Sequence, residues 1–267
     1  MMPVKAREWP WWFFALCLLA IIFAVLIGSD PLYRQVFFAV AKGLGKTAFV
    51  TVTAFSAACV MGLFLALMSL SPYQFPRQIT RFYVELIRGI PILVLLFYVT
   101  FVAAPALVSL YNGIFAPLHM IGLVEEAQTR DFSLEWRAII ALTIGYSAFL
   151  SEIFRAGILS VGSGQIEAAK SLGLGRWLSF RLVVFPQGIR TILPPLGNDF
   201  VSMVKDSSLV SILGVSDITQ LGKVYASGSF RFFETYSIVA YLYLIITISL
   251  SLALRRFEKH LRRSEGR

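Results

Sequence analysis

The chain has 267 residues, 57% of them hydrophobic and 15% charged, with a mean hydropathy of +0.75. Soluble domains carry about a quarter charged residues, so this composition excludes a sizeable soluble domain and implies an all-α integral membrane protein. The formal charge of +9 then reports topology and attraction to anionic headgroups, not a nucleic-acid surface.

In chain order, the first apolar run is 10–28, preceded by Lys5 and Arg7. It is longer than a signal-peptide core and no A-x-A site follows, so it reads as a retained helix. Residues 33–43 are apolar enough to lie along the outer surface as an elbow. Gly43-Leu44-Gly45-Lys46-Thr47 imitates the end of a phosphate-binding loop, but Val40 stands where that motif needs glycine. The run leads into a span and reads as a helix start, so any ATP is hydrolysed by another chain.

Further spans are expected at 44–70, 90–110, 137–154, 195–215 and 236–254, each long enough for ~30 Å of hydrocarbon. The six place both termini on one side. Lys and Arg concentrate on that side, at Arg77, Arg81, Arg88, Arg155, Lys170, Arg176, Arg181, Arg190 and the basic tail 255–267. The positive-inside rule therefore puts the termini and residues 155–195 in the cytosol.

Isolated features carry less. Cys17 and Cys59 sit in apolar runs with no metal or redox spacing, and His119 and His260 stand alone. Gly62-x-x-x-Ala66 fits close helix packing. Thr47, Thr51 and Ser56 give the second span a polar surface or bond their own backbone. Glu152 and Arg155, three apart, read as a helix-end ion pair. Arg88, at a span entrance, is placed to reach inner headgroups or to face a pore.

The fifth span is unusual. At 100° per residue, Asn198, Asp199, Ser202, Lys205 and Asp206 fall within about one third of the helix circumference. Charged groups at membrane depth cost about 2.5 kcal/mol or more each. Two readings stay open: a face on a water-filled pathway, or a Lys205–Asp206 network that locks helices together. A stripe with both signs suits a zwitterionic amino acid, with Asp206 the first candidate for its ammonium.

Between the fourth and fifth spans lies a polar excursion, 161–195. Good helix formers from Gln165 to Ser171 are interrupted by Gly173 and Gly175, and a second helical stretch, 177–185, is expected to end at Pro186. Glu167-Ala168-Ala169, Gly173 and Val183-Val184-Phe185-Pro186 match the coupling-loop pattern E-A-A-x3-G-x9-I-x-L-P of importer-type ABC permeases, with two apolar swaps. YVELIRGIPILVLLFY (83–98), AFLSEIFRAGI (148–158), SLGLGRW (171–177) and LPPLGNDFVSMVKDSSLVSILGV (193–215) narrow this to a resemblance to permeases of the polar amino acid uptake family. Ile90 departs from the family's usual Thr.

The resemblance covers roughly 43–254. It implies a type I importer permease with a five-helix core, 44–254, plus an additional N-terminal helix and elbow, 1–43. Implied partners are a second permease, identical or paralogous, a cytosolic ATPase dimer that binds ATP and Mg, and an extracytoplasmic solute-binding protein. The implied setting is the bacterial cytoplasmic membrane, with membrane lipid around the chain and no cofactor or metal of its own. Glu167, Ala168, Ala169, Gly173 and Pro186 would form the ATPase-coupling surface, and Asn198-Asp199 and Lys205-Asp206 the intramembrane substrate site. The rival, a self-contained ion-coupled carrier of small polar solutes, would show more spans and inverted repeats.

Overall fold

The computed structural model describes residues 11–120 and 122–263. Lys5, Arg7 and the last four residues of the basic tail lie outside the described residues, as does the side chain of His260. Helix α1 spans Trp11–Ser29 and α2 spans Pro31–Ala41. The break between them is written locally: Asp30 caps α2 by accepting from the Leu32 N–H at 2.8 Å, and Pro31 takes the first helical position. Residues 33–43, expected as an elbow, thus fall mainly on α2.

The body is built on α3 (Leu44–Ser69) and α7 (Leu134–Leu159), which run parallel. Lys46 pairs with Glu135 at 2.8 Å near their starts, so the phosphate-loop imitation is a helix start with its lysine engaged. Gly62 permits the contact, since a Cβ there would lie 3.0 Å from Leu150 Cβ and 3.1 Å from the Ser147 carbonyl. Val50, Ala54, Ala58, Leu142 and Leu150 fill the seam. Between these helices come α4 (Gln74–Arg88), α5 (Ile92–Tyr98) and α6 (Ala104–Met120).

After α7 the chain forms α8 (Ser163–Ser171), α9 (Arg176–Ser179) and α10 (Phe185–Asp206), then a 3-10 segment, Ser207–Leu213, closed by Gly214 at φ +86°. Helices α11 (Ile218–Ser229) and α12 (Phe232–Arg263) complete the fold. A second apolar cluster, Val36, Val40, Ile218, Ile238 and Leu242, ties α2 to α11 and α12.

Among the described residues, four helical stretches are long and apolar enough to cross a membrane: 31–69, 92–120, 134–159 and 232–259, with 14–29 a shorter apolar helix. Helix α10 is more polar, yet packs on both α7 and α12. The result is the expected five-helix core (α3, α5–α6, α7, α10, α12) with α1 in front.

Several bounds differ from expectation. The span predicted at 90–110 continues to Met120, that at 137–154 runs 134–159, and the last reaches Arg263, so most of the predicted tail is helical. The fifth starts ten residues early and leaves α-helix at Asp206. Pro186 does not end a helix. Five-residue π turns at Val99–Ala103 and Phe180–Val184 precede Pro105 and Pro186, closed by Ala104 N–H to Val99 O and Phe185 N–H to Phe180 O. A proline ring clashes with the carbonyl four residues back; the wide turn displaces that carbonyl and the helix continues.

The turn from α2 to α3 is seated on the residues that open α11. Asp217, fully buried, caps α11 through the Gln220 N–H (2.8 Å) and accepts from the Tyr243 hydroxyl (3.1 Å). A Cβ on Gly43 would lie 2.4–2.7 Å from backbone atoms of Asp217 and Ile218, whereas Gly45 has open space. Gly43→Ala should therefore lower the thermal midpoint in detergent, by about 1–3 kcal/mol of overpacking, while Gly45→Ala should not. Equal midpoints would show that the turn is not held there.

Candidate functional site

The polar stripe lies along α10 and covers about 12 Å at 1.5 Å per residue. Its orientation follows from the apolar residues behind it. Met203 and Val204 are buried, and the Phe200 ring meets Phe55 with centroids 5.0 Å apart. Asn198 and Lys205 are left exposed, while Asp199, Ser202 and Asp206 are half-buried. The five predicted residues thus share one side of one helix.

Among the described residues, Asp206 alone in the stripe makes a side-chain hydrogen bond, accepting from the Tyr146 hydroxyl of α7 at 2.7 Å. Within the described residues, Lys205 and Asp206 form no ion pair, and Asn198, Asp199, Ser202 and Lys205 make no side-chain bond. A network that locks helices needs bonds, and here there is one. Glu152 and Arg155 do form the expected pair, at 2.6 Å. No group of three or more His, Cys, Asp or Glu among the described residues could hold a metal.

The excursion folds as a hairpin of α8 against α9 and the π turn. Gly173 ends α8 at φ +76°, with its N–H on Lys170 O (2.9 Å) and the Leu174 N–H on Ala169 O (3.1 Å). This left-handed cap is one only glycine adopts cheaply. Glu167, Ala168, Gly173 and Pro186 are exposed. Ala169, grouped with Ala168 as a contact residue, is instead 3% exposed and packs inside the hairpin, because a 100° step turns it away from its neighbour. A Cβ on Gly173 would meet nothing.

The hairpin is less polar than its sequence suggested. Leu172, Trp177 and Leu182 are 79%, 67% and 59% exposed, and Trp177 stacks on Phe180 with centroids 6.0 Å apart. Exposed apolar groups clustered in this way are characteristic of protein or membrane interfaces. At its base, α7 and α10 touch backbone to backbone. A Cβ on Gly157 would lie 2.1 Å from Ile192 Cγ1, and one on Gly188 would lie 3.1 Å from the Gly157 carbonyl. Ser160 donates to the Thr191 hydroxyl (3.2 Å) beside this crossing.

Sequence reasoning missed Tyr146, Gly157 and Gly188. Tyr146 is 60 residues from Asp206, and nothing local to either predicts their contact. The two glycines carried a weak signal, as small residues, Gly157 just before the excursion and Gly188 within it.

Residues 58–264 match the family described as binding-protein-dependent transport system inner membrane component. The chain is 34% identical over 218 residues to the probable amino-acid permease protein YxeN of Bacillus subtilis, covering 82% of this chain and 89% of that one. It is 32% identical over 221 residues to the glutamine transport system permease protein GlnP of Escherichia coli (strain K12), covering 83% and 92%. Among solved structures, it is similar to one described as an amino acid ABC transporter with histidines: TM-score 0.67, 36% identity, 85% of this chain and 95% of that one. An inward-facing structure of the MetNI methionine ABC transporter, 18% identical with a TM-score of 0.62 over 87% of this chain and 99% of that one, shares the fold.

Proposed function

Since the chain belongs to the family of binding-protein-dependent transport system inner membrane components, we propose that it is the membrane permease subunit of an ATP-driven amino acid importer. It sits in a bacterial cytoplasmic membrane with both termini in the cytosol and works beside a second permease. A separate ATPase dimer binds ATP and Mg, and an extracytoplasmic solute-binding protein delivers the amino acid. The self-contained carrier is not favoured, because the relatives named above are permease proteins of transport systems.

The observation that carries this reading is the hairpin at 163–184. It exposes Glu167, Ala168 and Gly173 beside Leu172 and Trp177, a mixed surface suited to a protein groove. In this reading the ATPase grips the hairpin, and its closure on ATP moves α10, which directly follows. The face with Asn198, Asp199, Ser202, Lys205 and Asp206 then receives the amino acid. Asp206 faces the ammonium, Lys205 the carboxylate, and Asn198, Asp199 and Ser202 replace lost water.

The test is uptake by the chain co-reconstituted with its ATPase, second permease and binding protein. Gly173→Ala and Gly173→Trp share a backbone strain of about 1–2 kcal/mol in the left-handed region, but only Trp fills the open space where the partner would sit. Gly173→Trp is expected to abolish uptake while ATP hydrolysis persists, and Gly173→Ala to retain most uptake. Normal uptake by Gly173→Trp would refute docking at this hairpin.

A further inference from the structure

A cleft beside α4 takes no part in the transport reading. Helix α4 joins two membrane-crossing helices through short links, so it lies at a membrane surface. At 100° per residue it has three faces. Thr80, Val84 and Ile87 are buried against the body. Phe75, Ile79, Phe82 and Leu86 form an apolar stripe left open, with Phe75 and Phe82 77% and 70% exposed. Arg77, Arg81, Glu85 and Arg88 share the third face.

That third face and the Glu152–Arg155 end of α7 enclose a cleft of about 470 Å³. Four arginines stand there against two glutamates. Arg155 is held by Glu152 at 2.6 Å, and Arg88 lies 5.6 Å from the centre of the Phe149 ring. Arg77 and Arg81 have no hydrogen-bond or ion-pair partner among the described residues. Thr80 lines the same cleft, is 2% exposed, and its hydroxyl bonds to nothing. A buried hydroxyl left unpaired is costly unless a ligand completes it.

The occupant must be anionic and attached to hydrocarbon. Unpaired guanidinium groups match phosphate oxygens, and the open apolar stripe runs along the same helix. Free phosphate or a free amino acid would use the cleft alone, whereas a lipid whose headgroup sits there also lays its own hydrocarbon on the stripe. We infer that the α4 cleft binds the phosphodiester headgroup of an anionic phospholipid, with Arg77 and Arg81 on the phosphate, Thr80 completing the bond, and acyl chains along Phe82 and Leu86. Basic pockets between spans are built to hold such headgroups.

The experiment uses the full chain purified in detergent, with lipid retention followed by native mass spectrometry for phosphatidylglycerol and phosphatidylcholine. Phosphatidylglycerol is expected to be retained preferentially, and the R77Q/R81Q variant to bind it on the order of thirtyfold more weakly. R77K/R81K should keep much of the preference. F75S/F82S should weaken both lipids and leave their ratio unchanged. Unliganded melting temperatures should match wild type, since Arg77 and Arg81 hold no hydrogen bond or ion pair among the described residues. Millimolar inorganic phosphate should not displace the lipid. Equal retention of the two lipids, an unaffected R77Q/R81Q, or efficient displacement by phosphate would each overturn the assignment.

Discussion

Asp206→Asn is expected to cut amino acid uptake by about ten- to a hundredfold, the worth of a charged hydrogen bond, while the chain still inserts and assembles. Asp206 is half-buried at the last turn of α10. One carboxylate oxygen accepts from Tyr146 at 2.7 Å, and the other makes no hydrogen bond among the described residues. Asn keeps the shape and the carbonyl that Tyr146 needs, so the fold loses little. What it lacks is the charge an ammonium would meet. Tyr146→Phe makes the reciprocal change, keeping the charge and releasing its aim, and should raise KM with a smaller loss. Measured in proteoliposomes, unaltered kinetics for Asp206→Asn would make the stripe a structural feature.

Gly157→Val should be nearly as damaging by a different route. Its first methyl-sized atom would fall 2.1 Å from Ile192 Cγ1 and 3.2 Å from the Gly188 carbonyl. Ile192 can turn aside, but Gly188 is backbone, so α7 and α10 must separate. Overpacking of this kind costs about 1–3 kcal/mol. It also loosens the joint where the hairpin meets α10, so uptake should fall further than the melting temperature suggests. Pairing Gly157→Ala with Ile192→Ala should recover part of the loss in a double-mutant cycle, as expected for residues in contact. Additive effects would place the clash elsewhere.

The apolar runs made most spans readable, because a helix crossing hydrocarbon must stay apolar for its full length. The ends were less so. At α10 the start falls ten residues before the expected 195, because a π turn ahead of Pro186 carries the helix through and Pro194 and Pro195 lie inside it, and the end falls short of 215 because the chain tightens into the 3-10 segment Ser207–Leu213. Helices α4 and α11 escaped notice since neither is apolar throughout. Each buries one face and is read only from its period, as Thr80, Val84 and Ile87 show. The stripe was visible because five polar residues share one arc. Its contact with Tyr146 was not, since that depends on how α7 and α10 cross. Nor could the sequence say that Ala169 turns inward while Ala168 does not.

From Arg176 to Asp206 the helix is unbroken through α9, the π turn and α10, so the hairpin's outer arm and the polar face belong to one rod of about 45 Å. The Gly157–Gly188 crossing divides it unequally, about 18 Å toward Arg176 and about 27 Å toward Asp206. A rigid rod pivoting there is a lever with a gain of about 1.5 by the same helical rise. A 2 Å push on its short arm would sweep the charges at its far end through about 3 Å, roughly the difference between a made and a broken ion pair.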